Sequence, residues 1–176
     1  MYQGIIVAGF GGQGVVSMGI LLAYAGMMDN KHVTFIPAYG AEMRGGTANC
    51  SVIVSTDEVA SPVVGHPDSV VVMNEPSFSK FEPMIKSGGR LFINTSLVSS
   101  RSKRDDIEII EIPANNIAEE IGTLKITNMV MAGALCARTG AIAQKALIDS
   151  VKKVYIRAKP EILELNTVAI QRGAEC

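Results

Sequence analysis

A cluster of glycines directly behind an apolar run is the feature that most constrains this chain. Gly9, Gly11 and Gly14 form the pattern G-x-G-x-x-G between the apolar residues 4–8 and an apolar, helix-forming stretch at 15–28. Glycines so placed allow a sharp turn out of a strand, close approach of a phosphate to the backbone, and tight packing of the helix. The first N–H groups of that helix would face an anion. The pattern favours an α/β ligand site, and the alternative is a tight turn that holds no ligand.

The second apolar run argues against an ordinary dinucleotide dehydrogenase. Residues 33–36 end in Pro37-Ala38-Tyr39, with no Asp or Glu at the tip where a ribose-binding acid would lie. Glu42 comes later and would reach a ribose only if its loop folded back. No Lys follows the last glycine, so the loop is not a Walker A loop. A phosphate-bearing ligand stays compatible with the pattern, whereas NAD and ATP are disfavoured.

A second glycine-bearing segment follows at residues 39–47. By the logic of a parallel sheet it lies at the same carboxyl edge as the first glycine loop. Arg44 would pair with a phosphate or carboxylate, Gly45 and Gly46 would present backbone N–H groups, and Thr47 would add a hydroxyl. Alternatively, Glu42 and Arg44 form a structural pair or a subunit contact. Ligand binding and an interface have similar weight, and they are compatible.

Charge and cysteine content exclude several function classes. With 16 basic and 17 acidic residues the formal net charge is −1, which favours neither nucleic acid nor an anionic membrane. The three cysteines form no C-x-x-C pair, and the two histidines lack the neighbours that metal ligation needs. No nucleophile elbow or His partnership is present, so we predict no catalytic residue and no metal site in this chain. We find no signal peptide, and the apolar stretch is too short to cross a bilayer, so we expect a cytoplasmic protein.

The remaining pattern predicts one domain over residues 1–176 with a Rossmann-like α/β fold. Most of the apolar runs are continuous, which is typical of strands in a mostly parallel sheet flanked by helices. The run at 47–54 follows the second strand too closely for a crossover helix, so that pair is expected to be antiparallel or bulged. Four helices predict a helix-rich C-terminal part. Asn128 could cap the helix that begins at 127 or reach a ligand, and capping is the favoured role; Gly140 is expected to end that helix. The predicted strands are 4–8, 33–36, 49–54, 69–73, 90–94 and 107–112, and the predicted helices are 15–28, 76–85, 114–121, 127–139, 141–155 and 160–172.

Hydrophobic residues make up 48% of the chain and aromatic residues only 5%, which is apolar for a domain of this size. Either a subunit interface, including a homodimer of the isolated chain, or a core well filled with Met, Val, Ile and Ala explains this composition.

Taken together, these segments resemble one known family, the gamma subunit or gamma domain of the thiamine-dependent 2-oxoacid:ferredoxin oxidoreductases. The resemblance covers essentially the whole chain. The specific mark is the pairing of G-F-G-G-Q-G at 9–14 with Y-G-A-E-M-R-G-G-T-A-N-C at 39–50. Asn128-Met129, Asn166 and Gly173 are further marks. The family commonly has Pro where this chain has Ala41, a change that would loosen the loop slightly. The sequence of residues 44–50 resembles most the 2-oxoglutarate (2-oxoglutarate synthase) branch of this family.

The resemblance implies the oxidative decarboxylation of a 2-oxoacid with coenzyme A, which gives an acyl-CoA, CO2 and reduced ferredoxin. It implies that thiamine diphosphate, Mg²⁺ and the 4Fe-4S clusters are held by partners, namely alpha and beta subunits and a ferredoxin-like delta subunit. Ferredoxin would be the electron acceptor. The resemblance also assigns coenzyme A binding to ten residues: Gly9, Gly11, Gly12, Gln13, Gly14, Glu42, Arg44, Gly45, Gly46 and Thr47.

Three functional hypotheses follow from these residues. The first is a subunit that shapes the coenzyme A site beside a thiamine centre in a partner. The second is a free-standing nucleotide- or acyl-CoA-binding module, and the third is a purely structural assembly subunit with an empty glycine loop. An NAD-dependent dehydrogenase ranks last because the acid that would bind the ribose is missing.

Overall fold

A computed structural model describes residues 1–40 and 46–176. Within these ranges the chain forms a six-stranded sheet in the order β2-β3-β1-β4-β5-β6. The strands β1, β4, β5 and β6 run parallel, whereas β3 is antiparallel to both of its neighbours. The strands are β1 Tyr2–Phe10, β2 His32–Tyr39, β3 Thr47–Ser55, β4 Ser69–Val72, β5 Arg90–Asn94 and β6 Glu108–Ile112.

Helices cover both faces of the central strands. The chain forms these six α-helices within the ranges given above: α1 Val15–Met28, α2 Glu75–Phe81, α3 Ala114–Ile121, α4 Thr127–Thr139, α5 Gln144–Val154 and α6 Pro160–Ala174. Short 3-10 turns at Glu82–Met84 and Leu124–Ile126 extend α2 and lead into α4. The predicted α/β fold, with a mostly parallel sheet and a helix-rich C-terminal part, is confirmed.

The buried apolar side chains form two clusters. The larger cluster joins the sheet to the layer of α1, α3, α4, α5 and α6. The smaller cluster lies under α2 on the other face and includes Ile6, Val70, Leu91 and Val98. Because β1, β4 and β5 are buried on both faces, their continuous Val and Ile runs match what strands covered on two sides require.

Two glycines let α4 and α6 pack backbone to backbone. A Cβ on Gly133 would collide with the carbonyl oxygen of Ile170, and a Cβ on Gly173 would collide with that of Val130. Small residues on α4 therefore allow the close approach of another helix. Gly140 ends α4 in the left-handed conformation at φ 63°, as predicted.

The predicted antiparallel pair is also confirmed, because β2 and β3 form a hairpin with Phe35 opposite Val52. The predicted strand 33–36 was too short, since β2 continues through Pro37 to Tyr39. Proline is tolerated there because β2 is an edge strand, where the missing N–H need not bond to a neighbour.

Candidate functional site

The first glycine of the loop is required for packing at the end of β1. A Cβ on Gly9 would lie 2.6 Å from Gln13 Oε1, 2.8 Å from Met73 Cβ and 2.9 Å from Val15 Cγ2. The Gln13 side chain accepts from the Phe10 N–H at 2.7 Å and donates to the Met73 carbonyl at 3.0 Å. Gln13 therefore holds the glycine loop to the carboxyl end of β4.

The other glycines shape the turn into α1. Gly12 and Gly14 have φ values of 96° and 74°, which favour glycine. No atom of the described residues lies within 4 Å of a Cβ added to Gly12, so they leave that side of the loop open. Gly14 is the N-cap of α1, no side chain of the described residues caps the helix, and its first turn has no acidic residue. The N–H groups of this turn therefore remain available to an anionic ligand.

Asn128 does not cap α4, contrary to the prediction. The N-cap is Ile126, without a side-chain cap, and Asn128 lies inside the helix. Its buried side chain instead donates through Nδ2 to the Gly14 carbonyl at 3.1 Å. Burial raises the pKa of the Tyr155 hydroxyl, against the lowering effect of its side-chain contacts with Asn128 and Ser17. The Tyr155 hydroxyl thus lies beside Ser17 in the first turn of α1.

The structure brings the second glycine-bearing segment against the first. The Gly11 N–H donates to the Gly46 carbonyl at 2.9 Å, and Thr47 pairs with Phe10 in the sheet. The Gly40 N–H donates to the Thr47 carbonyl at 2.7 Å and closes the base of the hairpin. The expectation that both segments meet at one edge of the sheet is confirmed for these residues.

Three of the ten predicted site residues, Glu42, Arg44 and Gly45, lie outside the described residues. For the other seven, ligand contact stays a prediction. Of these seven, Gly9 and Gln13 take part in bonds and packing within the loop, and Gly46 is buried, whereas Gly11, Gly12 and Thr47 are exposed.

Two cavities flank the glycine loop. We call the larger one, of about 530 Å³, the switch-point cavity, because it lies beyond the carboxyl ends of β1 and β4, where the strand order reverses. We call the smaller one, of about 240 Å³, the hairpin cavity. The switch-point cavity is lined by Gly12, Gln13, Gly14, Ser17, Met73, Leu97, Asn115, Leu124, Lys125, Thr127, Asn128 and Tyr155. The hairpin cavity is lined by Phe10, Gly11, Gly12, Gly14, Val15, Val16, Ser17, Tyr39 and Ala48.

The electrostatics of the switch-point cavity favour an anion. Lys125 is the only charged residue among the described residues that line it, and it lies in the 3-10 turn before α4. Neutral donors from Asn115, Asn128 and Tyr155 lie around the same space, beside the open first turn of α1. This combination would bind a phosphate and leave room for an uncharged part of the same ligand.

Sequence reasoning missed Lys125, Asn115, Tyr155 and Leu97. Each is a single residue in an ordinary segment, far from the glycine loop along the chain. One signal was available, because in open α/β sheets ligands bind outside the carboxyl ends of the strands, so residues that follow parallel strands are candidates for the crevice. Leu97 follows β5 and Asn115 follows β6 in this way, whereas Lys125 and Tyr155 follow no strand and carried no such signal.

The described residues do not fit a metal or an iron–sulfur cluster. No group of three His, Cys, Asp or Glu side chains within residues 1–40 and 46–176 is arranged to hold a metal ion. Burial raises the pKa of the Cys50 thiol to about 12 and also raises that of Cys136, so neither is a reactive thiolate. Among the helices of the described residues, none is long and apolar enough to cross a membrane.

Comparison with family models matches residues 4–176 to the pyruvate ferredoxin/flavodoxin oxidoreductase model. The ketoisovalerate oxidoreductase subunit VorA of Methanothermobacter marburgensis is 37% identical over 171 residues, which cover 96% of this chain and 35% of VorA. The chain thus spans about a third of the length of the VorA relatives. The 2-oxoglutarate synthase subunit KorC of the same organism is 34% identical and covers 99% of this chain and 96% of KorC.

Solved structures show the same fold. The gamma subunit of a keto/oxoacid ferredoxin oxidoreductase from Geobacter sulfurreducens is 28% identical with a TM-score of 0.84, over 98% of this chain and 96% of that one. The 2-oxoglutarate:ferredoxin oxidoreductase from Magnetococcus marinus, solved with 2-oxoglutarate, coenzyme A and succinyl-CoA bound, matches at a TM-score of 0.89. That match is 24% identical and covers 98% of this chain and 30% of the other chain, and it is a likeness of fold.

Proposed function

Because this chain belongs to the pyruvate ferredoxin/flavodoxin oxidoreductase family, we propose that it acts as a gamma-type subunit that contributes to a coenzyme A site and to assembly. The resemblance to the gamma subunits of this family is confirmed by the family match and by the Geobacter sulfurreducens subunit. We further propose that residues 1–176 form one such domain.

The proposed reaction is that of 2-oxoglutarate synthase: 2-oxoglutarate, coenzyme A and oxidised ferredoxin give succinyl-CoA, CO2 and reduced ferredoxin. The spelling of residues 44–50 supports this branch, as does KorC, which matches this chain over nearly the full length of both proteins. The similarity to VorA, a ketoisovalerate oxidoreductase subunit, supports a branched-chain oxoacid as the alternative substrate. The groups that select the oxoacid would lie largely on partner chains.

The coenzyme A assignment depends on one observation. The glycine loop lies between two cavities, and Lys125 lines the larger of them. The pyrophosphate would bind the N–H groups around Gly12 and Gly14, where the first turn of α1 has no acid and no described side chain caps the helix. Lys125 would bind a further phosphate from the switch-point cavity, and Arg44 would do so from the hairpin. The fold neighbour from Magnetococcus marinus, which was solved with coenzyme A, supports the choice of ligand.

In such a complex, thiamine diphosphate on a partner would supply the decarboxylation chemistry, and iron–sulfur clusters on partners would carry the electrons. The residues of this chain would bind and orient coenzyme A. Tyr155, whose phenolic hydroxyl lines the switch-point cavity, would donate a hydrogen bond to the ligand. The partners would be alpha and beta subunits and a ferredoxin-like delta subunit, with ferredoxin as acceptor, in the cytoplasm. The isolated chain would be free to form a homodimer.

The test is to purify the tagged chain from its native cell and to measure 2-oxoglutarate- and coenzyme A-dependent reduction of ferredoxin or a viologen dye. We expect co-purifying partners that carry thiamine diphosphate and iron–sulfur clusters, with activity that requires coenzyme A. A lone chain that binds coenzyme A would instead favour the free-standing module. A lone chain that binds nothing would favour the structural subunit.

A matched pair of variants tests the loop itself. Gly12→Val and Gly88→Val both place a side chain at a positive-φ glycine with no described residue within 4 Å of the added Cβ, so their backbone strain is similar. Only Gly12 borders the cavities, so Gly12→Val should raise the KM for coenzyme A by roughly 30-fold or more, through loss of phosphate contacts. Gly88→Val should leave that KM unchanged. Equal KM values for both variants would contradict the assignment.

A further inference from the structure

The carboxyl ends of four neighbouring strands are tied together around the switch-point cavity by polar side chains. Gln13, which follows β1, donates to the carbonyl of Met73, which follows β4. At the end of β5, Asn94 donates to Asn115 Oδ1 at 2.8 Å, in the segment that follows β6. Ser96 accepts from the N–H of Asn115 at 3.2 Å. These hydrogen bonds link β1 to β4 and β5 to β6, but they do not link the end of β4 to the segment after β5.

Glu75 makes that link. It is the first residue of α2, two positions after Met73. Its Oε1 accepts from the Ser99 N–H at 2.5 Å, the Ser99 hydroxyl at 2.7 Å and the Ser100 N–H at 3.0 Å. Its Oε2 accepts from the Ser100 hydroxyl at 2.6 Å. Four donors on one carboxylate hold its pKa well below the usual range, at about 2, with the Ser100 hydroxyl making the largest contribution.

The bonds from Glu75 to Ser99 and Ser100 fix the distance between the Met73 side and the Leu97 side of the switch-point cavity. Met73 and Leu97 both line this cavity, one from each side of the link that Glu75 makes. Val98 is buried in the smaller core cluster, and its N–H bonds to the Asn94 carbonyl, so the segment stays attached to the fold without Glu75. Four charge-assisted bonds therefore act mainly on geometry at the cavity rim rather than on folding.

We propose that Glu75 is a positioning residue for coenzyme A binding, which fixes Leu97 opposite Met73 by holding Ser99 and Ser100. The inference rests on the proposed function, because it assigns the coenzyme A site to this cavity. Leu97 is 45% exposed and supplies an apolar contact at the rim, to which an uncharged part of the ligand would bind.

The experiment measures steady-state kinetics of the purified complex that contains Glu75→Ala, Glu75→Gln, Leu97→Ala or the double variant Glu75→Ala/Leu97→Ala. Glu75→Ala and Leu97→Ala should each raise the KM for coenzyme A on the order of tenfold with kcat nearly unchanged, because one apolar contact in the bound state is lost. The double variant should resemble Leu97→Ala alone, because Glu75 acts through that side chain. Glu75→Gln keeps one acceptor oxygen and the side-chain shape, so it should restore most of the affinity.

Glu82→Ala is the matched control. Glu82 accepts from Ser102 Oγ at 2.5 Å and so holds the same segment, but at a point farther along the chain from Leu97 than Ser99 and Ser100. It should leave the KM for coenzyme A unchanged. Additive effects of Glu75→Ala and Leu97→Ala, or a lower stability of Glu75→Ala with an unchanged KM, would overturn the positioning role.

The Gly12→Val variant separates this outcome from failure of the proposed function. A raised KM in Gly12→Val together with normal values in the Glu75 variants would overturn only the role of Glu75. Normal values in Gly12→Val and in all the Glu75 and Leu97 variants would overturn both proposals.

Discussion

The two sides of the glycine loop are built in different ways. The hairpin side joins two glycine-bearing segments, each of which is continuous along the chain, through the Gly11–Gly46 bond and the pairing of Phe10 with Thr47. The switch-point side is assembled from single residues that range from Gly12 to Tyr155. A site formed by continuous segments can be recognised as a sequence motif, whereas a site formed by single residues from many segments cannot. The switch-point cavity is of the second kind, although it is the larger of the two.

The largest effect is expected where the loop meets the helical half. A Cβ on Gly14 would lie 2.5 Å from Asn128 Nδ2, and Gly14 has φ 74°. Gly14→Ala should therefore lower the free energy of unfolding by roughly 2–4 kcal/mol, through strain and overpacking. Gly12→Ala meets open space and should cost only about 1 kcal/mol. Urea denaturation of the full chain compares the two variants, and equal losses would show that the Asn128 contact does not constrain the loop.

The next effect tests the switch-point side. Lys125→Gln should raise the KM for coenzyme A about tenfold at low ionic strength, because a charge-assisted phosphate contact is lost. The difference from wild type should shrink as salt is added. Lys152→Gln serves as the control, because Lys152 lies at a separate groove between α5 and α6. The same KM in both variants would remove Lys125 from the site.

A smaller effect is expected on the hairpin side. Arg44→Ala should raise the KM for coenzyme A about threefold to fivefold, which corresponds to the loss of a charge contact of roughly 1 kcal/mol. The assay uses the assembled enzyme, with subunit content measured by size-exclusion chromatography. Unchanged kinetics with weaker assembly would assign Arg44 to a subunit interface. An effect larger than that of Lys125→Gln would make the hairpin side the main phosphate site.

The smallest effect is a pH dependence of stability. The pKa of Glu75 is lowered to about 2 in the folded chain, mainly by the hydroxyl of Ser100. A depressed carboxyl pKa stabilises the fold above the unfolded value, near pH 4.5, and this contribution is lost as the pH falls towards 2. The Tm of wild type should therefore exceed that of Glu75→Gln at pH 6, and the difference should narrow by pH 2.5. A constant difference would show that the charge of Glu75 is not involved.

Much of the fold could be predicted because local patterns agree with the final structure. The buried strands read as continuous Val and Ile runs, and the short connection before β3 indicated an antiparallel pair. The position of β3 between β2 and β1 was not predictable, since hydrogen-bond partners are chosen by the packing of the whole sheet. Asn128 shows the same limit: its place near a helix start suggested a cap, but the partner it found is 114 residues away.

The sequence by itself determined the glycine loop, the second glycine-bearing segment and the family. Local backbone geometry requires glycine at fixed spacing, and such a spacing can be recognised in the sequence. Only the tertiary structure decided that Gln13 braces β4, that Asn128 holds Gly14, and that Leu97, Asn115, Lys125 and Tyr155 surround one cavity. The physical reason is that these residues have no local requirement for their type. Their roles arise where the carboxyl ends of the strands and the start of α4 converge.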